Sequence, residues 1–312
     1  SGGAATIGSA TPTSISKTSQ SVWVLGFTTS GIADGLETIS VVPVLNSIYD
    51  AAADAAATSQ SNNTAALNEK VVPIISGTTV DSANSLLTVT FAENVYDATS
   101  GSNDLEVGDF ALSISGGAAT IGSATPTSIV KTSQSVWVLG FSTSGVADGS
   151  ETISVVPIDD SIYDGNGNEA ATSQSNNTVA LNEKVVPIIS GTTVNSANSE
   201  VTVTFAENVY KATDGSGDLE VGDFALSISG GVATIVAATP TSIVKTSQTV
   251  WVLGFSTSGI ANGSETIAVV PAASNSIYDA ADNTAATSQS NNTATFNEKV
   301  LPTLTTVGIA SD

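Results

Sequence analysis

The 312-residue sequence contains no cysteine, methionine, histidine or arginine. Without cysteine there are no disulfides, no thiolate chemistry and no cysteine-ligated zinc or iron–sulfur sites. Without histidine the chain lacks the usual general base and the commonest transition-metal ligand. Without arginine it lacks the side chain that clamps carboxylates or phosphates through two hydrogen bonds. Most catalytic classes have therefore lost their usual residues, and we expect no enzyme activity.

Positive charge is also scarce. Seven lysines stand against 29 aspartates and glutamates, which gives a formal net charge of -22. Nucleic acids and anionic membranes are bound through basic residues, so the composition predicts neither as a partner. No apolar run approaches the ~18 residues of a membrane-spanning helix, so we expect no membrane insertion in this segment. The strongly acidic balance favours solubility and cation binding.

The most informative feature that is present is a repeat of about 114 residues. The segment Ser1–Ile7 returns almost unchanged as Ser115–Ile121 and as Ser229–Ile235. The copies at residues 73–114 and 187–228 differ at only 6 of 42 positions. A fixed period of this kind indicates an array of like modules. Such an array is typical of a protein that provides length, spacing or multivalent display.

Each repeat has the composition of β-strands separated by turns. Three segments, Leu87–Phe91, Phe110–Ile114 and Glu151–Pro157, alternate apolar and polar residues with period two, and Val136–Phe141 is a short apolar run. These patterns predict strands, whereas no 3.6-residue periodicity is long enough to predict a helix. About seven strands in 114 residues is the size of a β-sandwich. The predicted fold is therefore all-β, with sandwich modules arranged in tandem.

Prolines suggest the module boundaries, because an Asn-Glu-Lys-Val sequence comes just before Pro73, Pro187 and Pro302. Residues 73–186 and 187–301 would then be complete modules. Residues 1–72 would be the C-terminal part of a module, and residues 302–312 the first strand of another. An incomplete sandwich exposes unpaired strand edges. Either the chain belongs to a longer polypeptide, or subunits of a self-assembling filament or sheet exchange strands.

Two segments resemble a known family. Thr88-Val-Thr-Phe-Ala-Glu-Asn-Val-Tyr96 resembles a characteristic strand of bacterial Ig-like repeats, and Ser161-Ile-Tyr-Asp-Gly-Asn-Gly-Asn-Glu169 resembles the loop before their last strand. These repeats occur in S-layer proteins and large surface adhesins. The resemblance implies Ig-like sandwiches that act as spacers in an extracellular protein of the bacterial cell surface. It also implies calcium, which several members bind.

Acidic and amide side chains are concentrated in particular loops. The segment after the second strand of each module supplies Glu93, Asp104, Glu106, Asp109, Glu207, Asp218, Glu220 and Asp223. The loop before the last strand supplies Asp164, Asn168, Asp279 and Asn283, and the linkers supply Glu69 and Glu183. In an Ig-type sandwich these loops and the entering chain lie at one pole, so we expect their side chains to converge.

Oxygen donors without nitrogen or sulfur suit a hard cation. Calcium takes six to eight such oxygens and tolerates irregular loops, whereas magnesium is favoured less without a phosphate partner. The sequence therefore predicts Ca²⁺ bound by these residues at the junctions, where it would clamp neighbouring modules. The alternative is that the acidic residues are ordinary solvated turn residues.

The sequence leaves three functional hypotheses. The first is a structural protein, a stalk, fibre or adhesin shaft, stiffened by calcium, whose partners are neighbouring modules of the same or identical chains. The second is the self-assembling surface filament or sheet. The third is a multivalent module that binds a surface polysaccharide or a host ligand. We expect the recurrent Trp23, Trp137 and Trp251 to lie in the core, and the recurrent Glu37, Glu151 and Glu265 to face solvent.

Overall fold

A computed structural model describes residues 2–308 of the chain. Within this range the regular structure is short β-strands, with two 3₁₀ turns at Val107–Asp109 and Val221–Asp223 and no α-helix. All strand pairs are antiparallel. No helix of the described chain has the length and apolar character needed to cross a membrane.

The strands fall into three successive groups that follow the sequence repeat. Residues 2–72 contain β1 (Thr6–Ile7), β2 (Ser14–Lys17), β3 (Trp23–Gly26), β4 (Thr29–Ser30), β5 (Thr38–Ser40) and β6 (Thr64–Ala66). The second group contains β7 (Ile75–Val80), β8 (Leu86–Phe91), β9 (Phe110–Ser115), β10 (Thr120–Ile121), β11 (Ser128–Ser133), β12 (Val136–Gly140), β13 (Thr143–Ser144), β14 (Thr152–Pro157) and β15 (Thr178–Ala180). The third contains β16 (Ile189–Val194), β17 (Glu200–Phe205), β18 (Phe224–Ser229), β19 (Thr234–Ile235), β20 (Ser242–Lys245), β21 (Val250–Gly254), β22 (Thr257–Ser258), β23 (Thr266–Pro271) and β24 (Thr293–Thr295).

The second and third groups share one sheet topology. In the second group a four-stranded sheet has the order β7-β8-β12-β11, and a three-stranded sheet has the order β9-β14-β15. The third group repeats this as β16-β17-β21-β20 and β18-β23-β24. If the main strands are lettered A to G, these sheets are A-B-E-D and C-F-G, the order of a constant-type Ig sandwich. The predicted all-β fold with sandwich modules is confirmed.

The core is formed by the inward residues that the period-two alternation predicts. In β8, Leu87, Val89 and Phe91 are fully or almost fully buried, and the ring of Phe91 lies 6.4 Å from that of Phe110. Full burial of each such side chain stabilises the fold by about 2 kcal/mol. Alternate positions read Leu-Val-Phe in β8 and Ile-Val-Pro in β14 because those positions face the opposite sheet.

Residues 2–72 contain only counterparts of the later strands of the module. Here β2 pairs with β3, β5 pairs with β6 and β1 pairs with β4, each as an isolated two-stranded ribbon. The strand β5 has three residues, whereas its counterpart β14 has six. The strand β14 pairs with β9 along six residues and with β15 along three, whereas β5 pairs with β6 along three.

The described chain divides into two compact units. One comprises the chain up to Gly145 together with Glu151–Leu181, and the other comprises Val146–Ser150 together with the chain from Asn182 onward. The predicted segments 1–72, 73–186, 187–301 and 302–312 remain predictions. Residues 302–308 form no strand, and residues 309–312 of the predicted fourth segment lie outside the described residues.

Candidate cation site

A tight loop positions Asp164 just before the last strand of the second module. The carboxylate is 1% exposed, and its Oδ1 accepts hydrogen bonds from the backbone N–H groups of Asn166 and Asn168, each at 2.8 Å. The side chain of Asn168 donates through Nδ2 to Oδ2 of Asp164 at 2.8 Å. An aspartate that caps its own loop in this way is a common turn device. It fixes the direction in which the remaining lone pairs of Asp164 point.

The third module repeats this loop with different residues between the key positions. Oδ1 of Asp279 accepts from the N–H groups of Ala281 and Asn283 at 2.8 Å, and Nδ2 of Asn283 donates to Oδ2 of Asp279 at 2.8 Å. Asp279 is 2% exposed. The backbone geometry of the loop therefore depends on the aspartate, since Asp50 accepts the same backbone hydrogen bonds although Asp54 stands four residues later.

A glutamate from the preceding linker enters each loop. Nδ2 of Asn168 donates to Oε2 of Glu69 at 2.5 Å, and Nδ2 of Asn166 donates to the same oxygen at 3.1 Å. In the other unit, Nδ2 of Asn283 donates to Oε2 of Glu183 at 2.5 Å. Each linker glutamate is thus held beside a buried aspartate through a shared asparagine. We call these groups the linker clusters: Glu69, Glu93, Asp164 and Asn168 in the first, and Glu183, Glu207, Asp279 and Asn283 in the second.

The pKa shifts in the first linker cluster indicate carboxylates that crowd each other. Burial raises the pKa of Glu69, and a hydrogen bond that its protonated carboxyl group donates to the carboxylate of Asp164 raises it further. Burial raises the pKa of Glu93, and the negative charges of Asp164 and Glu69 raise it further. Burial also acts to raise the pKa of Asp164, but its hydrogen bonds from Asn168 and its backbone donors outweigh this and lower it. The cluster therefore favours a bound proton or a bound cation.

The second linker cluster behaves in the same way. Burial raises the pKa of Glu207 to about 7, and the charges of Asp279 and Glu183 add to the effect. Burial and Asp279 raise the pKa of Glu183, although the backbone N–H of Val185 opposes the shift. A carboxyl group such as Glu207, whose pKa is raised by burial and by neighbouring negative charges, favours a bound proton or a bound cation.

The carboxylates alone do not form a complete metal shell. Among residues 2–308, no three Asp, Glu, His or Cys side chains are grouped closely enough to hold a metal ion by themselves. Amide and backbone oxygens would have to supply the rest. An open polar cleft of about 610 Å³ gives solvent access to the first cluster. It is lined by Asp34, Gly35, Leu67, Asn68, Glu69, Lys70 and Asn166.

Two of the predicted ligands form exposed ion pairs instead. Oδ1 of Asp104 lies 2.5 Å from Nζ of Lys131, and Oδ1 of Asp218 lies 2.5 Å from Nζ of Lys245. Each lysine also lies over a tryptophan ring, with Nζ 5.7 Å from the ring centroid. Because their charge is already compensated, Asp104 and Asp218 do not belong to the linker clusters.

Four more predicted ligands belong to the 3₁₀ turns. The N–H of Glu106 donates to Oδ2 of Asp109 at 2.6 Å, and the N–H of Glu220 donates to Oδ2 of Asp223 at 2.7 Å. Burial raises the pKa of Asp109 to about 6, with Asp97 and Glu106 as the neighbouring charges. In the third module, Lys211 forms an ion pair with Glu220 and its charge acts to lower the pKa of Asp223. The structure therefore brings together eight of the fourteen predicted ligands and engages the other six elsewhere.

The expectation that the recurrent strand glutamates face solvent was wrong. Glu265 is fully buried, and its Oε1 accepts from the N–H groups of Val232 and Ala233 at 2.7 and 2.9 Å. Its Oε2 accepts from Asn262 and Gly263 at 3.0 and 3.1 Å. These backbone hydrogen bonds, that of Ala233 first, lower the pKa of Glu265 to about 2. The carboxylate is a structural clamp between two loops.

Glu151 forms the same clamp in the second module. It is fully buried, and its Oε1 accepts from Ala118 and Ala119 at 2.8 and 2.7 Å. Two signals in the sequence could have revealed it. Glu151 has the same strand parity as the buried Ile153, and each copy of this glutamate is matched by a Ser-Gly-Gly segment. A glycine pair allows backbone to wrap closely around a carboxylate.

The tryptophan prediction was confirmed in the two complete modules. Trp137 and Trp251 are each 1% exposed, so neither offers a free face on which a sugar ring could stack. Their indole N–H groups donate to the backbone oxygens of Gln134 and Gln248 at 3.3 Å. Trp23 differs, since it is 50% exposed.

No family model and no curated protein matches this chain. Among solved structures, the chain is similar to FdeC, described as a novel, broadly conserved Escherichia coli adhesin that elicits protection against urinary tract infections. The two chains share 16% sequence identity with a TM-score of 0.30, over 95% of this chain and 85% of that one. Similarity at this level supports no functional conclusion, so the proposals below depend on the residues of this chain.

Proposed function

We propose that this chain serves as a structural repeat segment of an extracellular protein, a stalk, fibre or adhesin shaft on a bacterial surface. Its Ig-like modules provide length, and Ca²⁺ bound at the linker clusters stiffens their junctions. The observation that carries the proposal is the linker glutamate, which in both copies accepts a hydrogen bond from the loop asparagine that also donates to the buried aspartate. A cation bound there would hold linker and loop together by charge.

The oxygen chemistry of the clusters suits calcium. In the first cluster the carboxylates of Glu69 and Asp164 could supply up to four oxygens, and amide and backbone oxygens would have to supply the rest. The carboxamide of Asn168 now presents Nδ2 to two of these carboxylates. Rotation of the carboxamide by 180° about the Cβ–Cγ bond would place Oδ1 where Nδ2 now lies and would add a further oxygen ligand. Six to eight oxygens in an irregular loop is the preference of Ca²⁺ rather than of Mg²⁺.

The stiffening has an electrostatic origin. Without a cation, the crowded carboxylates repel each other, as the raised pKa values of Glu69 and Glu93 indicate. Binding of Ca²⁺ replaces this repulsion by attraction between residues of the linker and of the module. Because only the folded chain assembles the cluster, binding also stabilises the fold by mass action.

Calorimetric titration of the chelator-treated chain with CaCl₂ tests the proposal. We expect two bound ions per chain and a rise in the melting temperature of about 10 °C at a hundredfold excess over Kd, with no comparable rise in MgCl₂. Asp164→Asn and Asp279→Asn should each remove one ion. Asp104→Asn is the matched control, because its carboxylate is exposed and paired with Lys131.

The stiffening itself is measured by small-angle X-ray scattering on the same samples. Ca²⁺ should reduce the flexibility of the chain, and the double variant with Asp164→Asn and Asp279→Asn should not respond. Unchanged calorimetry and unchanged melting in Ca²⁺ would contradict the metal part of the proposal and leave a plain spacer.

A further inference from the structure

Two Asn-Gly pairs occur in the sequence, Asn166-Gly167 and Asn262-Gly263. An asparagine followed by glycine is chemically labile, because the next backbone nitrogen can close a five-membered ring on the side-chain carboxamide. Glycine has no Cβ to hinder this closure and permits a wide range of backbone conformations. Both asparagines are exposed, so sequence and exposure alone predict equal reactivity. The hydrogen bonds around each pair distinguish them.

The attacking nitrogen of the first pair is weakly held. The N–H of Gly167 donates to the backbone oxygen of Asp164 across 3.4 Å, which is longer than a normal N–H···O hydrogen bond. In the same loop, Oδ1 of Asp164 holds the N–H groups of Asn166 and Asn168 at 2.8 Å. The loop therefore fixes the residues on both sides and leaves the nitrogen of Gly167 the least constrained.

The carboxamide of Asn166 lies where water can enter and ammonia can leave. Its Nδ2 donates to Oε2 of Glu69 at 3.1 Å, and the residue forms part of the wall of the open polar cleft of about 610 Å³. This hydrogen bond engages the nitrogen that would leave, and it involves neither Cγ of Asn166 nor the nitrogen of Gly167. The reacting atoms are therefore not occupied by the contact with Glu69.

The second pair is held by a buried carboxylate. The N–H groups of Gly263 and Asn262 donate to Oε2 of Glu265 at 3.1 and 3.0 Å. Oδ1 of Asn262 accepts the N–H of Ser264 at 3.0 Å. Attack by the nitrogen of Gly263 would have to break a hydrogen bond to a charged acceptor, which is about twice as strong as one between neutral groups. The carboxamide would also have to leave Ser264, so the fold protects Asn262.

We propose that Asn166 is a site of spontaneous deamidation in the folded chain, whereas Asn262 is protected. The nitrogen of Gly167 bonds to Cγ of Asn166, the Cγ–Nδ2 bond breaks, and the proton of the attacking N–H passes through water to the departing nitrogen, which leaves as ammonia. One water molecule then opens the cyclic imide. Opening at Cγ gives aspartate, and opening at the backbone carbonyl carbon gives isoaspartate, in which the main chain runs through Cβ. This inference needs no cation and extends beyond the spacer role.

The modification would change the contact between linker and loop in the second module alone. Aspartate at this position lacks the Nδ2 donor and places a further negative charge beside Oε2 of Glu69. Isoaspartate also lengthens the main chain within the loop whose N–H groups bind Asp164. The corresponding residue of the third module is Ala281, which has no carboxamide to lose. The linker contact of the second module therefore has a chemical lifetime that its counterpart lacks.

The test ages the chelator-treated 312-residue chain in mildly alkaline buffer prepared with heavy-oxygen water. Tandem mass spectrometry of its peptides locates each asparagine whose carboxamide has become a carboxylate that carries one solvent oxygen. We expect Asn166 to convert at least about tenfold faster than Asn262, the factor expected for one charge-assisted hydrogen bond. In denaturant, which removes the hydrogen bonds of the fold, the two residues should convert at similar rates.

Paired variants assign the acidic product that ion-exchange chromatography separates from the parent. Asn166→Ala should abolish the fast-forming product, and it should fold because the N–H of Ala281 makes the same loop hydrogen bond to Asp279 at 2.8 Å. Asn262→Asp is the matched control and should leave the fast product unchanged. It should also fold, since Asp148 stands at that position in the second module.

The variant Asn166→Asp reproduces the aspartate product. In chelator it should melt below Asn166→Ala, because it adds a charge beside Glu69; equal melting temperatures would contradict the stated effect on the linker contact. Three results would overturn the site itself. They are equal rates at Asn166 and Asn262 in the folded chain, an unmodified Asn166 after a time in which the denatured chain converts fully, and a fast acidic product that persists in Asn166→Ala.

Discussion

Replacing Gly231 by alanine should destabilise the third module strongly. Gly231 has a φ of +58°, a conformation that costs an alanine about 1 kcal/mol. An added Cβ would also overlap the carboxylate of Glu265, which is fully buried and held by backbone N–H groups. Overpacking of this kind costs about 2 kcal/mol. The sum is about 3 kcal/mol, which corresponds to a fall in melting temperature of about 12 °C for a module of this size.

Differential scanning calorimetry of the full chain measures this shift in the transition of the unit that contains Gly231. Gly222→Ala is the matched control, because a Cβ at that position meets nothing within 4 Å and its φ is not in the left-handed region. We expect no loss of stability from the control. A melting temperature for Gly231→Ala within about 3 °C of the parent would refute the reasoning.

A double-mutant cycle separates the two contributions. In a Glu265→Ala background there is no carboxylate for the new methyl group to meet. The glycine substitution should then cost only its backbone strain, about 1 kcal/mol. Equal costs in the two backgrounds would show that Glu265 and the glycine loop are not coupled.

Three further predictions follow from burial and charge. The pKa of Glu265 is lowered from 4.5 to about 2, so its contribution to stability is full above pH 4.5 and is lost as the pH falls towards 2. The melting temperatures of the parent and of Glu265→Gln, measured as a function of pH, should therefore differ at pH 6 and converge below pH 3. The pKa of Glu207 is raised to about 7, so the metal-free fold loses stability as the pH rises from 4.5 through 7. In the presence of a chelator, Glu207→Gln should melt about 3 °C above the parent at pH 8 and at the same temperature as the parent at pH 4. An unchanged melting temperature at pH 8 would contradict the burial of Glu207 beside other carboxylates. Trp137→Ala should lower the free energy of unfolding, measured with denaturant, by about 4 kcal/mol, and Trp23→Ala by less than about 1 kcal/mol, because the first side chain is 1% and the second 50% exposed. Similar losses in the two variants would mean that Trp23 is covered in solution.

The strands were predictable because their signal is local. The alternation in Leu87–Phe91 and Phe110–Ile114 reports which residues face the core, and the structure has strands at both places. The alternation does not reveal which strands pair. The A-B-E-D and C-F-G order came from the structure, since pairing partners such as Leu87 and Leu139 are 52 residues apart.

The candidate site was predictable only in part, because charge compensation is a long-range property. Asp164, Asn168 and Glu69 meet because a loop and a linker enter at the same pole. Nothing in the local sequence separates them from Asp104, whose charge is neutralised by Lys131, 27 residues away. Glu151 was misassigned for the opposite reason. Its strand parity indicated an inward position, but a charged residue is rarely buried unless it is paired, and its partners are backbone N–H groups.

The acidic residues of this chain therefore do not all have the same role of solvating the surface. Backbone donors lower the pKa of Glu265, whereas burial, together with the charges of neighbouring carboxylates, raises the pKa of Glu207. The direction of the shift separates a carboxylate whose charge the fold already satisfies from one that demands a counter-charge. Acid should consequently weaken the clamp at Glu265, and under the proposal that Ca²⁺ binds at the linker clusters a chelator should affect only those clusters. Because the two treatments act on different residues of the same module, they distinguish loss of the sandwich fold from loss of stiffness at the junctions.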